Sequence, residues 1–171
     1  MERKRVISVI AAMIGLLMLA LGGRAAEKEG AGVDWKALQA AKVSLEKGLA
    51  AAEGQGRPIS AKFEVDDGKL QLSVYTAKQD KFWEVIVDHT SAKVSKTEEI
   101  KEGEDLTAAK AQSEAMAKAK KSLSSAAQKA VAANAGYRAV SVVPTLEQGK
   151  SVATVVLENA TGTKTVSESL D

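Results

Sequence analysis

Few residues in this sequence are equipped to do chemistry. Among its 171 residues there is one histidine and no cysteine. That excludes a disulfide framework, thiolate metal ligands, a cysteine nucleophile and any centre needing two imidazoles. The histidine, His89, follows Asp88 and lies close to Trp83. Together these three offer an aromatic face, a carboxylate and an imidazole, so Trp83, Asp88 and His89 form the candidate binding set. As a hydrolase, with Asp88 and His89 serving one of the serines, they fare badly. Adjacent residues of a strand point to opposite faces, and no serine occupies a G-x-S-x-G elbow. No catalytic residue is assigned, and an enzyme is the least favoured reading.

Metal chemistry is little better supported. His89 with Asp88 or Asp66 gives scattered ligands without a closed shell, so no metal residue is assigned. Weak metal or small-ligand binding stays as the alternative function. Asp66-Asp67-Gly68 reads as a hairpin turn, its Asp-Gly pair suited to positive φ. Gly54-Gln55-Gly56 runs into Arg57-Pro58-Ile59, which lacks the third glycine and the strand-to-helix order of a dinucleotide cradle. No cofactor is expected.

The chain's address comes from its N-terminus. Met1 to Arg5 is basic, Val6 to Leu21 is almost wholly apolar, and Gly23-Arg24-Ala25 supplies small residues for cleavage, so residues 1–25 read as an export signal. The alternative is a membrane anchor formed by residues 6–21, although about 16 residues span roughly 24 Å against a ~30 Å hydrocarbon core. An exported chain without cysteine fits a bacterial periplasm. Removing residues 1–25 takes away four of the 24 basic side chains and one of the 22 acidic ones. The remainder, at roughly −1, has no basic excess for nucleic acid. Hydrophobic residues make up 45% and aromatics 4%, predicting a soluble globular chain with a thin core.

The elements that must position the candidate residues follow from periodicity. Asp34 is a candidate N-cap. From Trp35 through Leu38, Ala41, Leu45, Leu49 and Ala52 the apolar steps of three and four predict one helix, stopped by Gly54 and Gly56. The period then changes to two: Ile59, Ala61, Phe63 and Val65 alternate with polar residues, and Leu70, Leu72 and Val74 resume the pattern after the turn. Lys81 to Asp88 is a deeper strand with Trp83, Val85 and Val87 on one face, and Lys93-Val94 begins a short return.

A worn copy of this block comes later. A shift of 78 lays Ala41 to Leu45 on Ala119 to Leu123, and a shift of 81 lays Arg57 to Ser60 on Arg138 to Ser141 and Gly68-Lys69 on Gly149-Lys150. The difference of three is nearly one helical turn, which keeps the same helix face toward the sheet. By this alignment Leu106 to about Ala135 is helical, with a candidate break at Ser124-Ser125. Pro144 implies an edge strand or a bulge. The expected organisation is a first unit at 33–96, an acidic linker at 97–105 and a second, degenerate unit at 106–171. The fold class is α+β, two small units each with a helix on its own antiparallel sheet, the second truncated.

The segment WEVIVDHTSAKV, Trp83 to Val94, resembles the closing signature of the PepSY domain family: an aromatic, alternating valines, Val-Asp, a turn and Lys-Val. Trp83, Val85, Val87, Asp88, Lys93 and Val94 match. Ser91 and Ala92 stand where the family has Thr and Gly, and alanine tolerates positive φ poorly. The resemblance implies a helix packed on a small antiparallel sheet, in an exported protein without catalytic residues. It also implies a binding or regulatory role, with a protein or peptide as partner and a peptidase as one candidate. Asp88 is then expected to organise its turn.

Overall fold

The computed structural model describes residues 33–171. The expected export signal at 1–25, and the alternative anchor at 6–21, lie outside the described residues. Among the described residues no helix is long and apolar enough to cross a membrane.

The chain forms α1 (Trp35–Leu38), α2 (Leu45–Ala52), β1 (Arg57–Asp66), β2 (Lys69–Lys78), β3 (Lys81–Val87), β4 (Val94–Ile100), α3 (Gly103–Lys118), α4 (Leu123–Ala132), β5 (Arg138–Glu147), β6 (Lys150–Asn159) and β7 (Gly162–Ser169). All seven strands belong to one antiparallel sheet in the order β4-β3-β2-β1-β5-β6-β7. This corrects the expected fold class: among the described residues there are not two helix-on-sheet units but one continuous sheet with four α-helices. The join is made by β1 and β5, which pair through Ala61↔Val142 and Lys62↔Ser141. Two edges that separate units would have exposed thereby satisfy each other. β5 is consequently interior, although Pro144 had implied an edge or a bulge. Its register does shift between Ala139 and Ser141, and its ladder to β1 ends at Val142, before Pro144 would have to donate.

Strand alternation sets the layers. Phe63, Leu72, Val74, Val85, Val142 and Val155 point to one face and are at most 4% exposed. There α2 and α4 pack against the sheet and each other. Gly48 lets α2 approach closely, since a Cβ at that position would lie 2.4 Å from Leu72 Cδ2. α3 crosses the opposite face, where the Ser60 hydroxyl donates to Gln112 Oε1 at 2.7 Å.

Neither predicted helix is continuous. Between α1 and α2 the amides of Lys42 and Val43 both donate to the His89 carbonyl at 2.9 Å, and Ser44 then caps α2 by accepting from the Lys47 amide at 3.3 Å. The second break falls at 119–122 rather than at Ser124-Ser125. Lys120 and Lys121 donate to the Leu170 carbonyl at 2.7 and 2.9 Å, and Ser122 accepts from the Ser125 amide at 3.1 Å. The stretch expected as an acidic linker is structured too, with Thr97 to Ile100 in β4 and Gly103 to Asp105 opening α3.

These hydrogen bonds obey the alignment. Lys42 and Val43 map onto Lys120 and Lys121 by 78, and His89 maps onto Leu170 by 81. Ala61 maps onto Val142, its own pairing partner, so a local twofold axis passes between them. The recurring arginines cross that axis. Arg138 donates to the carbonyls of Leu38, Ala41 and Val43 at 3.0, 3.1 and 3.3 Å, while Arg57 donates to the carbonyl of Met116, the residue aligned with Leu38. Each arginine adds a donor at the end of the other half's first helix, where the Leu38 and Met116 carbonyls also accept from the Ala41 and Ala119 amides at 3.0 and 3.2 Å.

Candidate functional site

The structure does not gather Trp83, Asp88 and His89 into one site. Trp83 stands near the start of β3, paired with Thr76 and Glu99, and packs half-buried against the core. Asp88 and His89 follow the other end of that strand. At about 3.3 Å per residue, Trp83 and His89 are separated by roughly 20 Å. Trp83 instead borders a shallow groove of ≈ 330 Å³ with Gln55, Lys78, Gln79, Lys81 and Thr97.

Asp88 is occupied by its own turn. Its Oδ1 accepts from the Thr90 amide and hydroxyl at 3.0 and 2.6 Å and from the Ser91 amide and hydroxyl at 2.7 and 2.8 Å. The Thr90 and Ser91 donors favour the ionised form and hold this carboxyl well below the usual range. Ala92 closes the turn at φ 60, a left-handed conformation that strains any side chain larger than glycine's. His89 acts through its backbone: its carbonyl holds the α1–α2 junction, while its Nδ1 is buried with no hydrogen-bond partner among the described residues. Among the described residues no group of three or more His, Asp or Glu is placed to hold a metal.

A different cluster has more chemistry. On the α3 face of the first half, the Tyr75 hydroxyl donates to Glu84 Oε1 at 3.1 Å. The Lys62 ammonium lies 2.7 Å from Glu64 Oε2 and 5.8 Å from the centre of the Tyr75 ring. Ser73 donates to Glu64 Oε1 at 2.7 Å, and Gln71 donates to the Ser73 hydroxyl at 3.0 Å. Burial raises Tyr75 far above the usual phenol range, and the neighbouring Glu84 and Glu64 carboxylates raise it further. Burial also raises Glu84, against the lowering effect of its hydrogen bond from Tyr75. A desolvated carboxylate of this kind gains from a cation or a hydrogen-bond donor brought to it, because the low local dielectric strengthens the contact.

Strand geometry builds the cluster. Tyr75 is directly opposite Glu84, which is directly opposite Glu98, and Lys62 is opposite Ser73. Like charges facing each other at Glu84 and Glu98 oppose sheet formation, and Lys96, 2.5 Å from Glu98 Oε1, offsets one of them. Sequence reasoning missed the cluster by treating Lys62 and Glu64 as an ordinary wet face. The available signal was parity: Ser73, Tyr75 and Glu84 alternate against Leu72, Val74 and Val85, which puts all three beside Lys62 and Glu64. Comparison of this chain with protein-family models, with curated proteins and with solved structures returned no match.

Proposed function

We propose that this protein is a non-catalytic binding module, exported to the periplasm, that docks a basic side chain of a partner polypeptide onto the Glu84–Glu64 carboxylates. The observation that carries the reading is the recessed Tyr75–Glu84 pair beside Lys62, Glu64 and Ser73. Nothing comparable is aligned with it in the second half, where Lys62, Glu64, Tyr75 and Glu84 are matched by Val143, Thr145, Val156 and Thr165. The near-neutral balance of charge supports a protein partner over nucleic acid. The resemblance of Trp83 to Val94 to the PepSY signature makes a peptidase a candidate partner.

Fluorescence anisotropy with a labelled Lys/Arg-rich peptide and its Glu-rich counterpart tests this reading. The basic peptide is expected to bind and the acidic one not, with Glu64→Gln/Glu84→Gln weakening binding about tenfold or more. Acidification should release the peptide, beginning above the usual carboxylate range because Glu84 is raised. Equal binding of the two peptides, or an affinity untouched by the double substitution, sinks the proposal.

A further inference from the structure

The two ends of the sheet are treated differently. β4 is an edge guarded in the usual ways: its pairing with β3 shifts register between Ile86 and Val87, and Lys96, Glu98 and Glu99 give it charge on both faces. β7, the other edge among the described residues, carries its charges, Lys164 and Glu168, on the helix-covered face alone. It pairs with β6 from Val152↔Ser169 to Asn159↔Gly162 without a register shift. On the α3 side it shows only Thr163, Thr165, Ser167 and Ser169, all exposed. In the first half the aligned strand, β3, has β4 on its outer side, whereas among the described residues β7 ends the sheet.

We infer that the β7 edge pairs antiparallel with β7 of a second copy of this chain, about a twofold axis at Val166. The charge pattern selects this occupant over an arbitrary strand. With Val166 facing its own counterpart, Lys164 falls opposite the partner's Glu168, and Glu168 falls opposite the partner's Lys164. Thr165 meets the partner's Ser167, and Thr163 meets the partner's Ser169. Opposite charges and Thr–Ser pairs are both favourable cross-strand neighbours. A symmetric interface then forms two ion pairs from one strand.

Glu168 gives a second reason. It is only 7% exposed, and among the described residues its one ion pair is with Lys129, at 2.6 Å, whose side chain is 73% exposed. A second cation from a partner would offset the cost of holding that carboxylate away from water. The join would repeat the internal one, where β1 meets β5 about Ala61 and Val142. The inference is independent of the peptide-binding reading, because β7 lies at the opposite end of the sheet from Glu84.

The full chain is expected to sediment as a dimer in analytical ultracentrifugation. Lys164→Glu and Glu168→Lys should each weaken dimerisation about tenfold, by placing like charges opposite each other twice. Mixing the two variants should restore a heterodimer, since each mismatch is then corrected. The chain has no cysteine, so Val166→Cys should form a disulfide between copies under mild oxidation, and Ser95→Cys on the β4 edge should not. A monomeric chain, a dimer indifferent to both charge reversals, failure of the mixture to recover, or equal cross-linking at the two edges would overturn the inference.

Discussion

The α3 face of the sheet differs sharply between the two halves. In the first half it carries Lys62, Glu64, Gln71, Ser73, Tyr75 and Glu84. In the second half the aligned residues are Val143, Thr145, Val152, Thr154, Val156 and Thr165. The scaffold underneath is shared down to single hydrogen bonds, since the His89 and Leu170 carbonyls each hold two amides of a helix junction. What recurs therefore builds the sheet and its helices, and what does not recur is free to recognise something. Packing also differs by compensation. Gly48 faces Leu72 in the first half, and the aligned residues in the second are Ala126 and Ala153, so the large and small side chains are redistributed between helix and strand.

The comparison can be broken hardest at the arginines. Arg138→Met removes three carbonyl contacts and should cost about 3 kcal/mol in urea unfolding, while Arg57→Met removes one and should cost about 1.5 kcal/mol. Equal losses would mean the halves share the latch evenly. Next, Gly48→Ala should cost about 1–2 kcal/mol, overpacking against Leu72 being partly offset by better helix propensity. Combined with Leu72→Ala it should cost clearly less than the sum of the two, since the pair is in contact; simple additivity in thermal melts would refute the compensation.

Smaller effects concern ionisation. Glu84 is raised in the folded state, so the fold holds a proton there that the unfolded chain has released. Its favourable contribution is present at low pH and is lost as pH rises from the ordinary Glu range through the raised value. Glu84→Gln should therefore raise Tm modestly at pH 7 and make no difference once Glu84 is protonated. Asp88 runs the other way. Its lowered pKa means that the stability it provides is present above the ordinary Asp range and is lost on strong acidification. Asp88→Ala should lower Tm at pH 7, and its melt should approach that of the parent chain in strong acid.

Much of the scaffold was legible because its signals are local. Alternation located the strands, and Asp67-Gly68 located the hairpin, where φ is 48 and 73. The second helix's break was foreseen a few residues late, at Ser124-Ser125 instead of 119–122. The first was not legible, because a sequence that keeps its apolar face through Ala41 gives no sign that Lys42 and Val43 will bond to a carbonyl of residue 89. The single sheet was hidden for a similar reason: two residue pairs between β1 and β5 leave no pattern in either strand. Of the predicted site, Asp88 organises its turn while Trp83 and His89 lie at opposite ends of β3. The Tyr75–Glu84 pair escaped because charged residues on an alternating strand resemble a solvated face until strand register shows which ones are neighbours.

The crossed arginines also bear on how the chain reaches this structure. Arg138 and the Leu38 carbonyl are 100 residues apart in sequence, and Arg57 and Met116 are 59 apart. Neither half can seal its first helix until the other has arrived, so the halves cannot mature as independent units. Non-local closure of this kind slows folding, because the entropy of a long loop is lost before the contact forms. It should equally make unfolding a single concerted event, in which releasing one half removes the cap from the other.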